Sequence, residues 1–202
     1  MRWALRQLAS PLRYLRIEQG RGLLHSKRTY DFVIPGIIGV LAAAGSNRLS
    51  LHFRFFAGGG LAADIISLLN LLIAFFIAAL AAVATFDRPG LDEKMKGDPA
   101  ILRRTNKRSV TVEIALTHRQ FVCYLFGYLS FASIALLLVL YMLRMFEAPI
   151  RDLMQVADWI KMIAKPLFTF LFFGALAQLI VTMLLGIHFL CDRLQFLDDP
   201  TI

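Results

Sequence analysis

The chain has 202 residues, of which 58% are hydrophobic and 18% charged, with a formal net charge of +8 and a mean hydropathy of +0.64. A water-soluble domain of this length cannot hide so much apolar surface, and the 17 phenylalanines and the leucine runs fall into blocks. Composition therefore excludes an ordinary soluble fold and predicts a single, all-α membrane domain with four transmembrane helices and both termini cytoplasmic.

Residues 1–28 form a basic arm, with Arg2, Arg6, Arg13, Arg16, Arg21, Lys27 and Arg28 against the single acid Glu18. On a helical wheel Leu5, Leu8, Leu12 and Leu15 make one seam beside the arginines, which predicts an amphipathic helix in the headgroup region, anchored by Trp3 and kinked at Pro11. The first span is expected over 29–47. Its apolar heart, 32–45, would cover only about 21 Å of the roughly 30 Å hydrocarbon core, so a short or irregular crossing or a re-entrant segment is expected, with Asp31 at its inner boundary.

Residues 48–56 alternate apolar and polar side chains as an extended ribbon would, and Gly58, Gly59 and Gly60 break the chain before a second span at 61–86. The central polar segment, 87–117, is read as a cytoplasmic loop. Within it Asp98-Pro99 predicts a short helix through Arg104, and Val110, Val112 and Ile114 alternate as a short strand. Thr117 and Gln120 have capping-box spacing, which starts the third span at 118–143. Residues 149–164 are predicted as a separate interfacial helix with one apolar face, and Pro166 as the start of the last span, 166–190. On this topology 16 basic residues lie inside and 6 outside, against 13 and 9 if the first block does not cross. The inside is the cytoplasm, and in a bacterium the membrane is the inner one.

Few residues invite chemistry. Asp64, near one end of the second block, is a candidate intramembrane acid, or else a helix cap. Gly174, Gln178, Thr182 and Gly186 recur every four residues and, with Asn70, are candidates for helix packing or for lining a pore. His118, Cys123, His188, Cys191 and Asp192 cluster by topology at the inner helix ends, but their spacings match no metal motif, and no metal or other cofactor is expected. Phosphate-loop, nucleophile-elbow and dinucleotide fingerprints are absent. Arg2, Arg6, Arg13, Arg16, Arg103, Arg104, Lys107 and Arg108 are expected to meet anionic lipid or a soluble partner, and nucleic acid is disfavoured because the basic residues flank apolar blocks. Three functional classes fit: a non-enzymatic subunit that self-associates, anchors a soluble cytoplasmic protein or does both, a pore or membrane-disrupting effector, and a small transporter or membrane-embedded enzyme. The first is preferred. In a bacterium it would suit the membrane sensor or anchor of a multi-gene system such as phage defence.

Overall fold

Apolar runs bounded by local stop signals become four helices: α1 (Ile34–Arg48), α2 (Leu61–Thr85), α3 (His118–Met145) and α4 (Asp158–His188). The structure, a computed structural model, describes residues 7, 10–18, 27, 29–48, 60–85, 91–94, 100–105, 111–147 and 158–193. Leu61–Thr85, His118–Met145 and Met162–Cys191 are long and apolar enough to cross a membrane, which marks the chain as an integral membrane protein. The Thr29–Gly45 stretch is a shorter apolar helix. Its first turn, Thr29–Val33, is a wider π-helical turn, and α1 follows without a break.

The ends are set locally. At the start of α3 the Thr117 hydroxyl accepts from the Gln120 N–H while the Gln120 carboxamide accepts from the Thr117 N–H, both at 3.3 Å, so the expected capping box forms. Two expectations fail. Pro166 starts no helix, because α4 runs unbroken through it from Asp158. Its missing N–H costs one ladder bond, and long flanking apolar runs packed on α1 and α3 outweigh that loss. The expected interfacial helix at 149–164 thus merges with the last span over its described part, while 148–157 lie outside the described residues. The ribbon at 48–56 also lies outside them, apart from Arg48, which ends α1.

The helices alternate in direction. Gly39 of α1 meets Phe170 of α4, and Gly174 of α4 meets Pro35 of α1. Phe76 of α2 packs on Phe126 of α3 with ring centroids 6.3 Å apart, and Gly186 of α4 abuts Leu125 of α3. Leu69, Phe76, Phe121, Leu125, Phe126 and Leu129 are buried between these helices. Outward-facing Leu41, Leu71, Leu138 and Leu171 stay exposed, as lipid-facing residues should.

Where a loop and a short helix are expected between α2 and α3, the chain makes strands β2 (Ile101–Thr105) and β3 (Thr111–Ala115). They pair antiparallel, Leu102 opposite Ile114 and Arg103 opposite Glu113. The alternation predicted around Val112 and Ile114 is therefore a strand, and its partner overrides the helix start signal at Asp98-Pro99, itself outside the described residues. The third strand comes from the arm: β1 (Ile17–Glu18) pairs with Ile101 and Leu102, giving the order β1-β2-β3. The fold is mostly helical with a small sheet, not purely α.

Close approach of α1 to α4 depends on Gly39, where an added Cβ would lie 2.8 Å from the Phe170 carbonyl oxygen. Gly39→Val is expected to cost about 1–3 kcal/mol by forcing the helices apart. Gly174→Ala, whose Cβ would meet nothing closer than the Pro35 oxygen at 3.7 Å, should be tolerated. Thermal unfolding of both variants in detergent checks the difference.

Candidate functional site

The polar cluster of the fold gathers at the start of α1. Lys27 and Asp31 are four residues apart, the spacing that places side chains on one helical face. The Lys27 ammonium donates to Asp31 Oδ2 at 2.5 Å and to the Tyr14 carbonyl at 2.9 Å, and it stands 3.7 Å from the centroid of the Tyr14 ring. Both charged residues are almost fully buried, Lys27 at 5% and Asp31 at 2% exposure. Desolvation by burial lowers the Lys27 pKa, and the carboxylate of Asp31 opposes that shift by its charge and its hydrogen bond.

Tyr14 comes from a short 3-10 helix, Ser10–Arg16. Pro11 sits in its first turn, where its fixed φ fits and no N–H is needed, and residues 8–9, on which the expected kink also depends, lie outside the described residues. The buried side chains are Tyr14 and Ile17; of the predicted seam, Leu15 packs partly buried against the core and Leu12 is exposed. Trp3, Leu5 and Leu8 lie outside the described residues. The Tyr14 ring stacks on Tyr128 of α3 at 5.1 Å and tilts against Phe121 at 6.3 Å. Tyr128 in turn is hydrogen-bonded with Gln178 of α4. Asp31 Oδ1 and Tyr14 Oη are buried without a hydrogen-bond partner among the described residues.

The register between α1 and α4 explains why this cluster exists. Gly39 faces Phe170 and Pro35 faces Gly174, so the turn holding Asp31 opposes Gln178, and α4 continues about 15 Å beyond it to His188. That stretch of bundle has no α1 beside it, and the 3-10 helix packs on α3 there instead. Lys27 bridges the two pieces. Beside it, Arg119 joins Asp92 at 3.0 Å, and the backbone N–H groups of His118 and Arg119 bond to the carbonyls of Glu93 and Leu91.

Of the residues singled out from sequence, Gln178 joins this cluster. Thr182, one turn further along α4, is buried. Gly174 and Gly186 sit at the contacts with α1 and α3 respectively. Asp64 in the first turn of α2 and Asn70 two turns on are exposed, apart from Gln178 and Thr182. Arg13 and Arg16 are exposed, Arg103 pairs with Glu113 at 3.0 Å across the sheet, and Arg104 lies in β2. Arg2, Arg6, Lys107 and Arg108 lie outside the described residues. His118 is buried against Phe189, Cys191 is exposed, and no group of three metal-ligating side chains forms among the described residues. Sequence reasoning missed Tyr14, Lys27 and Tyr128 and placed Asp31 only as a boundary charge. The available signal was a Lys and an Asp one helical turn apart at the mouth of an apolar block.

Removing one partner of the buried pair leaves the other uncompensated, so Lys27→Met is expected to cost about 3–5 kcal/mol, most of it recovered in Lys27→Met with Asp31→Leu. Thermal unfolding of the three proteins in detergent reads this. Tyr14 carries a pH signature: burial, then the charge of Asp31, then Tyr128 raise its pKa well above 10.0. A raised folded pKa gives a contribution complete below the unfolded value and lost as pH climbs through the folded one. Above about pH 10 the native protein should therefore lose stability relative to Tyr14→Phe. At neutral pH that variant should match it or gain about 1 kcal/mol, because the buried hydroxyl finds no partner among the described residues. No family model, curated protein or solved structure matches the chain.

Proposed function

We propose that the chain is a non-enzymatic integral membrane subunit that crosses the bilayer four times with both termini cytoplasmic, holds a β-sheet platform on that side to anchor a soluble protein, and self-associates in the membrane. The pairing of β1 with β2 carries the reading. Ile17 and Glu18 precede α1, whereas Ile101 and Leu102 follow α2, and the two pairs are hydrogen-bonded neighbours in one sheet. Segments joined in one sheet share one side of a bilayer, so the chain between them crosses an even number of times. Since α2 is a span, the α1 stretch supplies the second crossing. Counting from Thr29 through Arg48, that helical run is about 30 Å long, enough for the hydrocarbon core. The excess of Lys and Arg on the sheet side makes it the cytoplasmic one.

The same pairing supports the partner reading. Two segments more than 80 residues apart in the chain build a sheet fastened to the helix ends through the Lys27 cluster and through β3, which leads directly into α3. Leu116 donates to the Ala100 carbonyl, so by antiparallel alternation the N–H groups of Glu113 and Ala115 point away from β2. Among the described residues β3 is thus an edge with exposed Ile114 beside it, the form of surface that accepts an added strand.

A membrane-impermeant crosslinker applied to inverted native vesicles is expected to join a soluble protein to the chain. Glu113→Pro, which removes an outward N–H and spares the β2 ladder, should reduce recovery of that protein. Crosslinks formed only from the opposite membrane face would overturn the topology. Recovery of this chain alone would overturn the partner.

A further inference from the structure

One stripe of the outward face of α2, beside the bulkier Leu68, Leu71 and Phe75, has positions spaced in sevens. Ser67, Ala74 and Ala81 recur at that interval, Asn70, Ile77 and Ala84 do so three positions later, and all six are exposed. The residues α2 buries, Leu69 and Phe76 among them, lie on its opposite face against α3. Asn70 is the anomaly on this surface. It is the tenth residue of the 25 in α2, about 5 Å from the middle of the helix, where lipid replaces water. Its carboxamide makes no hydrogen bond among the described residues, whereas the Ser67 hydroxyl is satisfied by the Ala63 carbonyl at 3.0 Å. A bare amide at that depth forfeits the hydrogen bonds water would give it.

The geometry of a bilayer narrows what can meet it. Copies of one chain insert in the same orientation, so a two-fold axis relating them lies along the membrane normal, their α2 helices run parallel, and identical residues face each other at identical depth. A carboxamide is both donor and acceptor, so Asn70 is complementary to itself. The seven-residue interval is that of a left-handed parallel helix pair, and the small side chains of Ser67, Ala74, Ala81 and Ala84 let two backbones approach closely. We propose that α2 is the self-association seam of the protein, a parallel two-fold pair in which Asn70 of one copy hydrogen-bonds Asn70 of the other. This seam rests on the self-association in the functional reading above and names the surface that carries it.

The test uses the full chain with Cys123→Ser and Cys191→Ser, carrying one new cysteine at a time and oxidised in native membranes. Ala74→Cys and Ala81→Cys, one repeat apart, are expected to give disulfide-linked dimers, and Val139→Cys, on the exposed face of α3, to stay monomeric. Adding Asn70→Leu should lower the Ala74→Cys dimer fraction about threefold, the size of one interhelical hydrogen bond in lipid. Copy number by single-molecule photobleaching of labelled protein in vesicles separates the two levels. Oligomers that crosslink at Val139→Cys and not at Ala74→Cys would overturn the seam and leave self-association standing. Single copies throughout would overturn both, and dimers insensitive to Asn70→Leu would remove Asn70 from the interface.

Discussion

An ammonium group taken out of water has to be met on several sides at once, and around Lys27 the chain supplies the carboxylate of Asp31, the carbonyl of Tyr14 and the face of the Tyr14 ring. Those groups come from two pieces of chain, the 3-10 helix and the start of the α1 stretch. Satisfying the one charge therefore fixes where the 3-10 helix sits relative to the first turn of the α1 stretch. With Tyr14 placed, its ring stacks on Tyr128, and Tyr128 in turn engages Gln178, so α3 and α4 are tied to the same point. Ile17 and Glu18 then fall within reach of β2.

The pair also resolves the shortness of the first apolar block. A helix that begins partway along α4 leaves a stretch of α3 and α4 without a neighbour, and the arm fills it with an aromatic side chain. The result is one continuous path from the helices to the sheet, while the Arg119–Asp92 contact ties the start of α3 to the 91–94 turn. Because its Asp92 side is largely solvent-accessible, that contact contributes little, about 0–1 kcal/mol, and the buried cluster dominates. A sheet fastened in this way moves with the bundle, as the proposed anchoring role requires.

The opposite side of the bundle is built differently. Gly39 lets α1 close on α4, and phenylalanines fill the seam between α2 and α3. Beside the exposed Leu68, Leu71 and Phe75, one stripe of α2 carries mostly small side chains and one carboxamide, a poorer surface for lipid and a better one for another helix. The proposed platform and the proposed seam thus occupy different parts of the protein, so the two proposed roles do not compete for one surface.

Local signals in the amino-acid sequence were enough to determine the three long spans, the capping box at Thr117 and Gln120, and the strand around Val112 and Ile114, because length, periodicity and cap spacing act over a few residues. The same kind of signal misled at Asp98-Pro99 and at Pro166: a local start signal yields to a strand partner ten residues away in one case and to packing along a whole helix in the other. The Lys27–Asp31 site was hidden for a further reason. Four residues of spacing permit the pair, but burying it depends on Tyr14 folding back across the α1 start and on α1 being offset against α4. Both are properties of the packed bundle, so the sequence by itself determined that this protein enters a membrane, and only the tertiary structure decided that its arm, central strands and helix ends form one site.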